Sequence, residues 1–235
     1  MTAPLPRRLL AEYLGSALLA ATVIGSGIAA AKLSPADTGL ALLENAAATG
    51  AGLFAIILMF GAVSGAHFNP IVSLADASLG GISWRDASAY VPVQVAGCVS
   101  GAVLANLMFD LSAVSVAQTD RASGAHALAE VVASAGLVLV IFSLIRTGRS
   151  HTAPAAVGAY IAAAYWFTSS TSFANPAITV GRGFSDTFAG IAPASMPSFI
   201  GAQLVGGLIA VVLITVLYPR PVTEQGGGQA VPAQS

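Results

Sequence analysis

Charge is what this sequence has least of. Of its 235 residues only 8% are charged, against 56% hydrophobic, where soluble domains carry roughly 25% charged and about 45–50% apolar residues. So few charges cannot cover a water-exposed surface, and the chain reads as a polytopic membrane protein. The formal net charge of −1 and the scattered Lys and Arg residues exclude the basic footprint of a nucleic-acid binder. One cysteine, Cys98, excludes an intramolecular disulfide, and its apolar segment points to a buried structural thiol. A cleavable leader is not expected: the first apolar run, Leu9 to Ala31, is long enough to span and has no evident cleavage site.

About 20 apolar residues are needed to cross the hydrocarbon core. Six stretches meet that length, near 8–31, 40–63, 87–109, 126–147, 153–170 and 196–218, while two shorter apolar segments, near 70–79 and 176–187, do not. Six spans leave both termini on one side. Arg7, Arg8, Arg85, Arg146, Arg149 and Arg220 then share that side and Lys32, Arg121 and Arg182 fall opposite, which predicts cytoplasmic termini by the positive-inside rule. The Pro/Gly/Gln-rich tail, 219–235, is expected to be disordered.

Three landmarks occur once per three spans and in the same order. They are Glu12 and Glu130, the dipeptides Asn69-Pro70 and Asn175-Pro176, and Gln94-x-x-Gly97 and Gln203-x-x-Gly206. An odd number of spans per repeat inverts the second copy (about 126–218) relative to the first (about 8–109), within a single channel domain. Inverted repeats interrupted at matching places point to a transport site near the membrane midplane.

Each Asn-Pro starts a helix, with Asn as N-cap and Pro at the first helical position. The segments that follow are only half-length, and irregular backbone at membrane depth is tolerated only where protein buries it or water lines it. The peptides before them, SGAH and TSFA, therefore run along a conduit. Inversion brings the two half-helices in from opposite faces with their N-termini together. Their dipoles place roughly half a positive charge each at the junction, and the two Asn amides can donate to a passing oxygen. Such a field repels protons and cations and passes neutral hydroxyl-bearing solutes. A single Asn-Pro is ordinary turn punctuation; two at equivalent places of a repeat are not explained as loops.

SGAHFNPIV and SFANPAI, with Glu12 and Glu130, resemble the aquaporin and aquaglyceroporin (major intrinsic protein) family over about residues 8–218. The resemblance implies an all-α membrane fold, a right-handed bundle of six transmembrane helices plus two half-helices in an inverted repeat. It also implies homotetramers with one pore per subunit, no cofactor and no metal, in a bacterial-type inner membrane. By position, Asn69, Pro70 and Ile71 with Asn175, Pro176 and Ala177 form the pore centre. His67 lines the pore, and Glu12 and Glu130 hold the half-helix loops. The pattern departs from the family at Ile71, where Ala is usual, and at Ile178, where arginine is usual. A β-branched Ile71 is expected to alter how the half-helix ends pack. Counting back from the Asn residues puts the other constriction positions at Thr49, Ala163 and Ser172. That set makes a wide, neutral neck like that of the bacterial aquaglyceroporin branch linked to arsenic resistance, which implies passage of arsenite, related hydroxides and glycerol-like polyols. Arg182, one turn beyond Ile178 on the same face, stands either at the outer mouth or in a structural pair with Asp186, and the pair is the favoured reading.

Other polar residues have plainer readings. His126 and His151 sit at span ends, Gly97 and Gly101 at small-xxx-small packing spacing, and Trp84, Tyr90 and Tyr218 as interface anchors. Alternatives stay open. A secondary transporter would need coupling acids, yet no span centre holds one beyond Glu12 and Glu130; a water-selective aquaporin would need a narrower neck. An intramembrane Ser/His hydrolase would need a nucleophile elbow, which is absent, and an adhesion role has no use for small residues at a neck.

Overall fold

The computed structural model describes residues 3–219, so Arg220 and all of the predicted tail except Pro219 lie outside the described residues. Among the described residues there is no strand. The chain forms α1 (Leu5–Leu33), α2 (Thr38–Ser64), α3 (Pro70–Ser78), α4 (Trp84–Met108), α5 (Gly124–Arg146), α6 (Ala153–Phe167), α7 (Pro176–Arg182) and α8 (Met196–Leu217). Five long apolar segments, α1, α2, α4, α5 and Pro193–Leu217 with α8, have the length and composition to cross a membrane. The bundle is inside-out by soluble standards. Glu12, Gln94, Asn106, Glu130 and Gln203 are fully buried, while Leu204, Leu208, Val212 and Val216 form an exposed apolar row on α8.

The two halves pack alike. α1 lies against α2 and α4, α5 against α6 and α8, and each half-helix, α3 and α7, rests on both α4 and α8. Glycine sets the closeness of the main pairs. A Cβ on Gly97 would stand 2.4 Å from the Tyr13 carbonyl oxygen, one on Gly101 2.1 Å from that of Ala17, and one on Gly206 2.4 Å from that of Val131. These helices meet backbone to backbone, as small residues permit in lipid. Gly101→Val is therefore expected to destabilise by about 3 kcal/mol or more through overpacking against a carbonyl that cannot turn away. Gly201→Ala, where a Cβ meets nothing within 4 Å, is the control in a detergent melting experiment, and equal melting of the two would refute the close contact.

Two boundaries differ from expectation. The fifth span ends at Phe167, because the Thr168 hydroxyl turns back to the Ala164 carbonyl and a turn follows. At 15 residues α6 covers about 22 Å, short of the roughly 30 Å hydrocarbon core. The second half-helix stops at Arg182 instead of near 187, since the carbonyls of Gly183 and Phe184 accept from Ala117 N and Ser115 N of the α4–α5 loop. Tyr90 is also no interface anchor. It is fully buried, donates to the Ser64 carbonyl at 2.9 Å and accepts from Arg8 Nε at 2.8 Å, while Arg8 pairs with Asp86 at 2.9 Å.

Candidate functional site

Both peptides entering the half-helices are bent through left-handed conformations at matching places. Gly65, Ala66 and Phe68 have φ of 89°, 53° and 49°; Thr171, Ser172 and Ala174 have 61°, 50° and 46°. Outside glycine this conformation costs roughly 1–2 kcal/mol per residue, so something must hold it. Two carboxylates do. Glu12 accepts from Ser64 Oγ (2.6 Å), His67 N (3.0 Å), Phe68 N (2.7 Å) and Gln94 Nε2 (2.8 Å). Glu130 accepts from Ser170 Oγ (2.6 Å), Phe173 N (2.9 Å), Ala174 N (2.8 Å) and Gln203 Nε2 (2.6 Å). Each buried acid thereby satisfies two N–H groups that no helix can.

The half-helices start where the dipeptides put them. Asn69 Oδ1 caps Ile71 N at 3.0 Å, and Asn175 Oδ1 caps Ala177 N at 2.9 Å. The two tips then exchange hydrogen bonds. Asn69 Nδ2 donates to the Ala174 carbonyl at 2.7 Å and Asn175 Nδ2 to the Phe68 carbonyl at 2.8 Å. A primary amide carries two N–H groups, so each Asn keeps a second donor beyond the one spent across the junction, and both side chains line the central cavity.

That cavity holds about 320 Å³ and its wall includes Thr49, His67, Asn69, Asp76, Tyr165, Ser172, Asn175, Ile178 and Arg182. Most of the remaining wall is aliphatic, with Leu53, Val72, Leu137 and Ile161 among it. Pro70, Ile71, Pro176 and Ala177 are buried beside the junction and are not part of the cavity wall. Ile71 turns away from the cavity: its Cγ2 would meet a Cβ on Gly207 of α8 at 2.6 Å. Its extra bulk is taken up at α8 and not between the half-helix ends, contrary to expectation.

Ala163 is a second correction, since it faces outward and is exposed. On α6 the wall is built by Ala153, Val157, Ile161 and Tyr165, each four residues from the next and on one face, which places Ala163 on the other side of the helix. Tyr165 Oη lies 3.2 Å from Thr49 Oγ1.

Arg182 is the third. No ion pair joins it to Asp186, which accepts instead from Gln118 N at 2.9 Å. The Arg182 side chain is buried, lines the cavity, donates through Nε to the Ala189 carbonyl and stacks its guanidinium 3.4 Å from the Phe173 ring centroid. Phe173 also packs 5.0 Å from Phe199 and lies 5.3 Å from the Arg121 guanidinium. Arg121 is fixed by the Gly190 carbonyl at 2.8 Å. Beside it in the loop, Asp120 is held below the usual carboxylate range by the Ala122 N–H and the Ser195 hydroxyl.

Four residues of this region escape a reading of the sequence alone: Asp76, Arg121, Tyr165 and Phe173. One signal was available. Aligning Asn69-Pro70 with Asn175-Pro176 puts His67 opposite Phe173 and Asp76 opposite Arg182. The structure gives the pairs like partners, with His67 Nε2 3.4 Å from Asp76 Oδ2 in one half and Phe173 under Arg182 in the other.

Comparison with known proteins agrees with this architecture. The family model described as "Major intrinsic protein" matches residues 1–174. Aquaglyceroporin AqpS of Rhizobium meliloti (strain 1021) is 48% identical over 230 residues, 97% of this chain and 98% of that protein. The glycerol uptake facilitator protein of Pseudomonas aeruginosa is 31% identical over 180 residues, 65% of this chain and 63% of that protein. The X-ray structure of the aquaglyceroporin from Plasmodium falciparum superposes with a TM-score of 0.70 at 19% identity, covering 90% of this chain and 96% of that one. The chain belongs to the major intrinsic protein family of membrane channels.

Proposed function

We propose that the chain is a passive channel for small uncharged solutes, with glycerol-like polyols and arsenite-type hydroxides as its preferred cargo. The observation that carries this reading is the wall of the cavity. Thr49, Ser172 and Ile178 line it together with both Asn side chains, and an aliphatic residue stands where the family usually has arginine. The names of its aquaglyceroporin relative and of the glycerol facilitator support a polyol path. Asn69 and Asn175 supply the central donors, His67 lines the path and Glu12 and Glu130 hold the loops. Two repeats make one channel domain, homotetrameric as in the family. The excess of Arg on the terminal side favours cytoplasmic termini in a bacterial plasma membrane.

Proteoliposomes under an inward gradient of glycerol or arsenite are expected to swell faster than empty vesicles, with a rate linear in the gradient. No acceleration for any solute would end the channel reading. Saturable uptake that depends on an ion gradient would favour a secondary transporter.

A further inference from the structure

We propose that Arg182 is a specificity-determining residue, forming a donor subsite in the cavity for uncharged solutes that carry adjacent oxygen acceptors. This rests on the channel reading and assigns to it a guanidinium one helical turn from the usual position.

The first argument is electrostatic. Arg182 is 2% exposed, and a buried charge without a counter-ion is strongly unfavourable. Among the described residues the close pairs of basic and acidic side chains are Arg8 with Asp86 and His67 with Asp76, and neither involves Arg182. Glu130, the acid whose charge acts on Arg182, is already taken by four donors. Arg121, across the Phe173 ring, adds charge of the same sign.

The second argument is geometric. Only Nε of Arg182 has a protein acceptor, the Ala189 carbonyl. Nη1 and Nη2 have none, yet neither is among the polar atoms sealed from solvent without a partner. In a residue that lines the cavity, they therefore open onto it. The stack on Phe173 and the Nε bond fix the plane of the fork, so two parallel donors are presented without further ordering. Ser172 also borders the cavity, but its hydroxyl is sealed from it, so the donors rest on Arg182 alone. Asp76, at the position aligned with Arg182 in the other half, is different. It has His67 beside it, so the donor site belongs to one mouth only.

A solute leaving water for this largely aliphatic passage regains hydrogen bonds at the fork, and a polyol gains more than water, because two neighbouring oxygens fit two parallel N–H groups. The test is the ratio of glycerol to water permeability in proteoliposomes of the full chain. Arg182→Met, close in length and uncharged, is expected to lower that ratio about tenfold. Arg182→Lys keeps the charge and a donor for the Ala189 carbonyl but loses the fork, and is expected to lower it severalfold. A ratio unchanged in Arg182→Lys would overturn the proposal by leaving only a structural clamp, whether or not Arg182→Met folds. A raised ratio in either variant would overturn it by making the side chain an obstruction. Wild-type vesicles that conduct neither solute would instead sink the channel reading beneath it.

Discussion

Replacing Glu130 by alanine is expected to lower the melting temperature in detergent by about 10 °C or more and to abolish conduction. The carboxylate accepts four donors, two of them the backbone N–H groups of Phe173 and Ala174. Those amides cannot turn to water, because Phe173 and Ala174 are buried and belong to a peptide with left-handed residues at Ser172 and Ala174. At roughly 1–3 kcal/mol for each of the four buried groups left unsatisfied, the loss is on the order of 4–12 kcal/mol, a large part of a typical folding free energy. The left-handed residues would then relax, and the Ala174 carbonyl would leave Asn69. Glu130→Gln keeps the shape but turns an N–H2 toward two of the donors, so it is expected to lose about half as much. Glu12→Ala should match Glu130→Ala, since Glu12 takes the same kinds of donor at equivalent positions. Melting of Glu130→Ala within two or three degrees of wild type would show that packing, not the carboxylate, holds the loop.

This network was legible in the sequence because each part has its own local signature. Asn-Pro announces a capped helix start whatever surrounds it, and an acid in an apolar run demands an internal partner. Their recurrence in order then fixed the topology. Features set by helix rotation or by distant chain were not legible. Counting back from the Asn residues reaches Ala163, but a shift of two residues along α6 carries a side chain to the opposite face, which is where Ala163 lies and Tyr165 does not. α7 is shorter than its apolar run because the loop at 115–117 ends it by taking two carbonyls, and nothing near 176–187 records that. Sequence proximity points Arg182 toward Asp186, while the α4–α5 loop holds that acid through Gln118 N.

Ile178→Arg is the variant expected to change selectivity most. Ile178 is buried on the cavity wall in the first turn of α7, so a longer side chain there can only extend into the cavity or displace the wall. The acid of that half, Glu130, is already taken by four donors, and Arg182 lies one turn away on the same face, a like-charge spacing that is itself mildly destabilising. Glycerol and larger solutes are expected to lose at least about tenfold in permeability while water loses about twofold or less, because narrowing removes a path for the wide solute before the narrow one. Equal loss for all solutes would mean that Ile178 is not at the neck. Joining the change to Arg182→Met separates size from charge. The double variant moves the guanidinium back by one turn without doubling it, so it should recover stability relative to Ile178→Arg alone and still discriminate against large solutes. If it instead regains glycerol permeation, mutual repulsion of two cations, rather than the width of the neck, was the barrier.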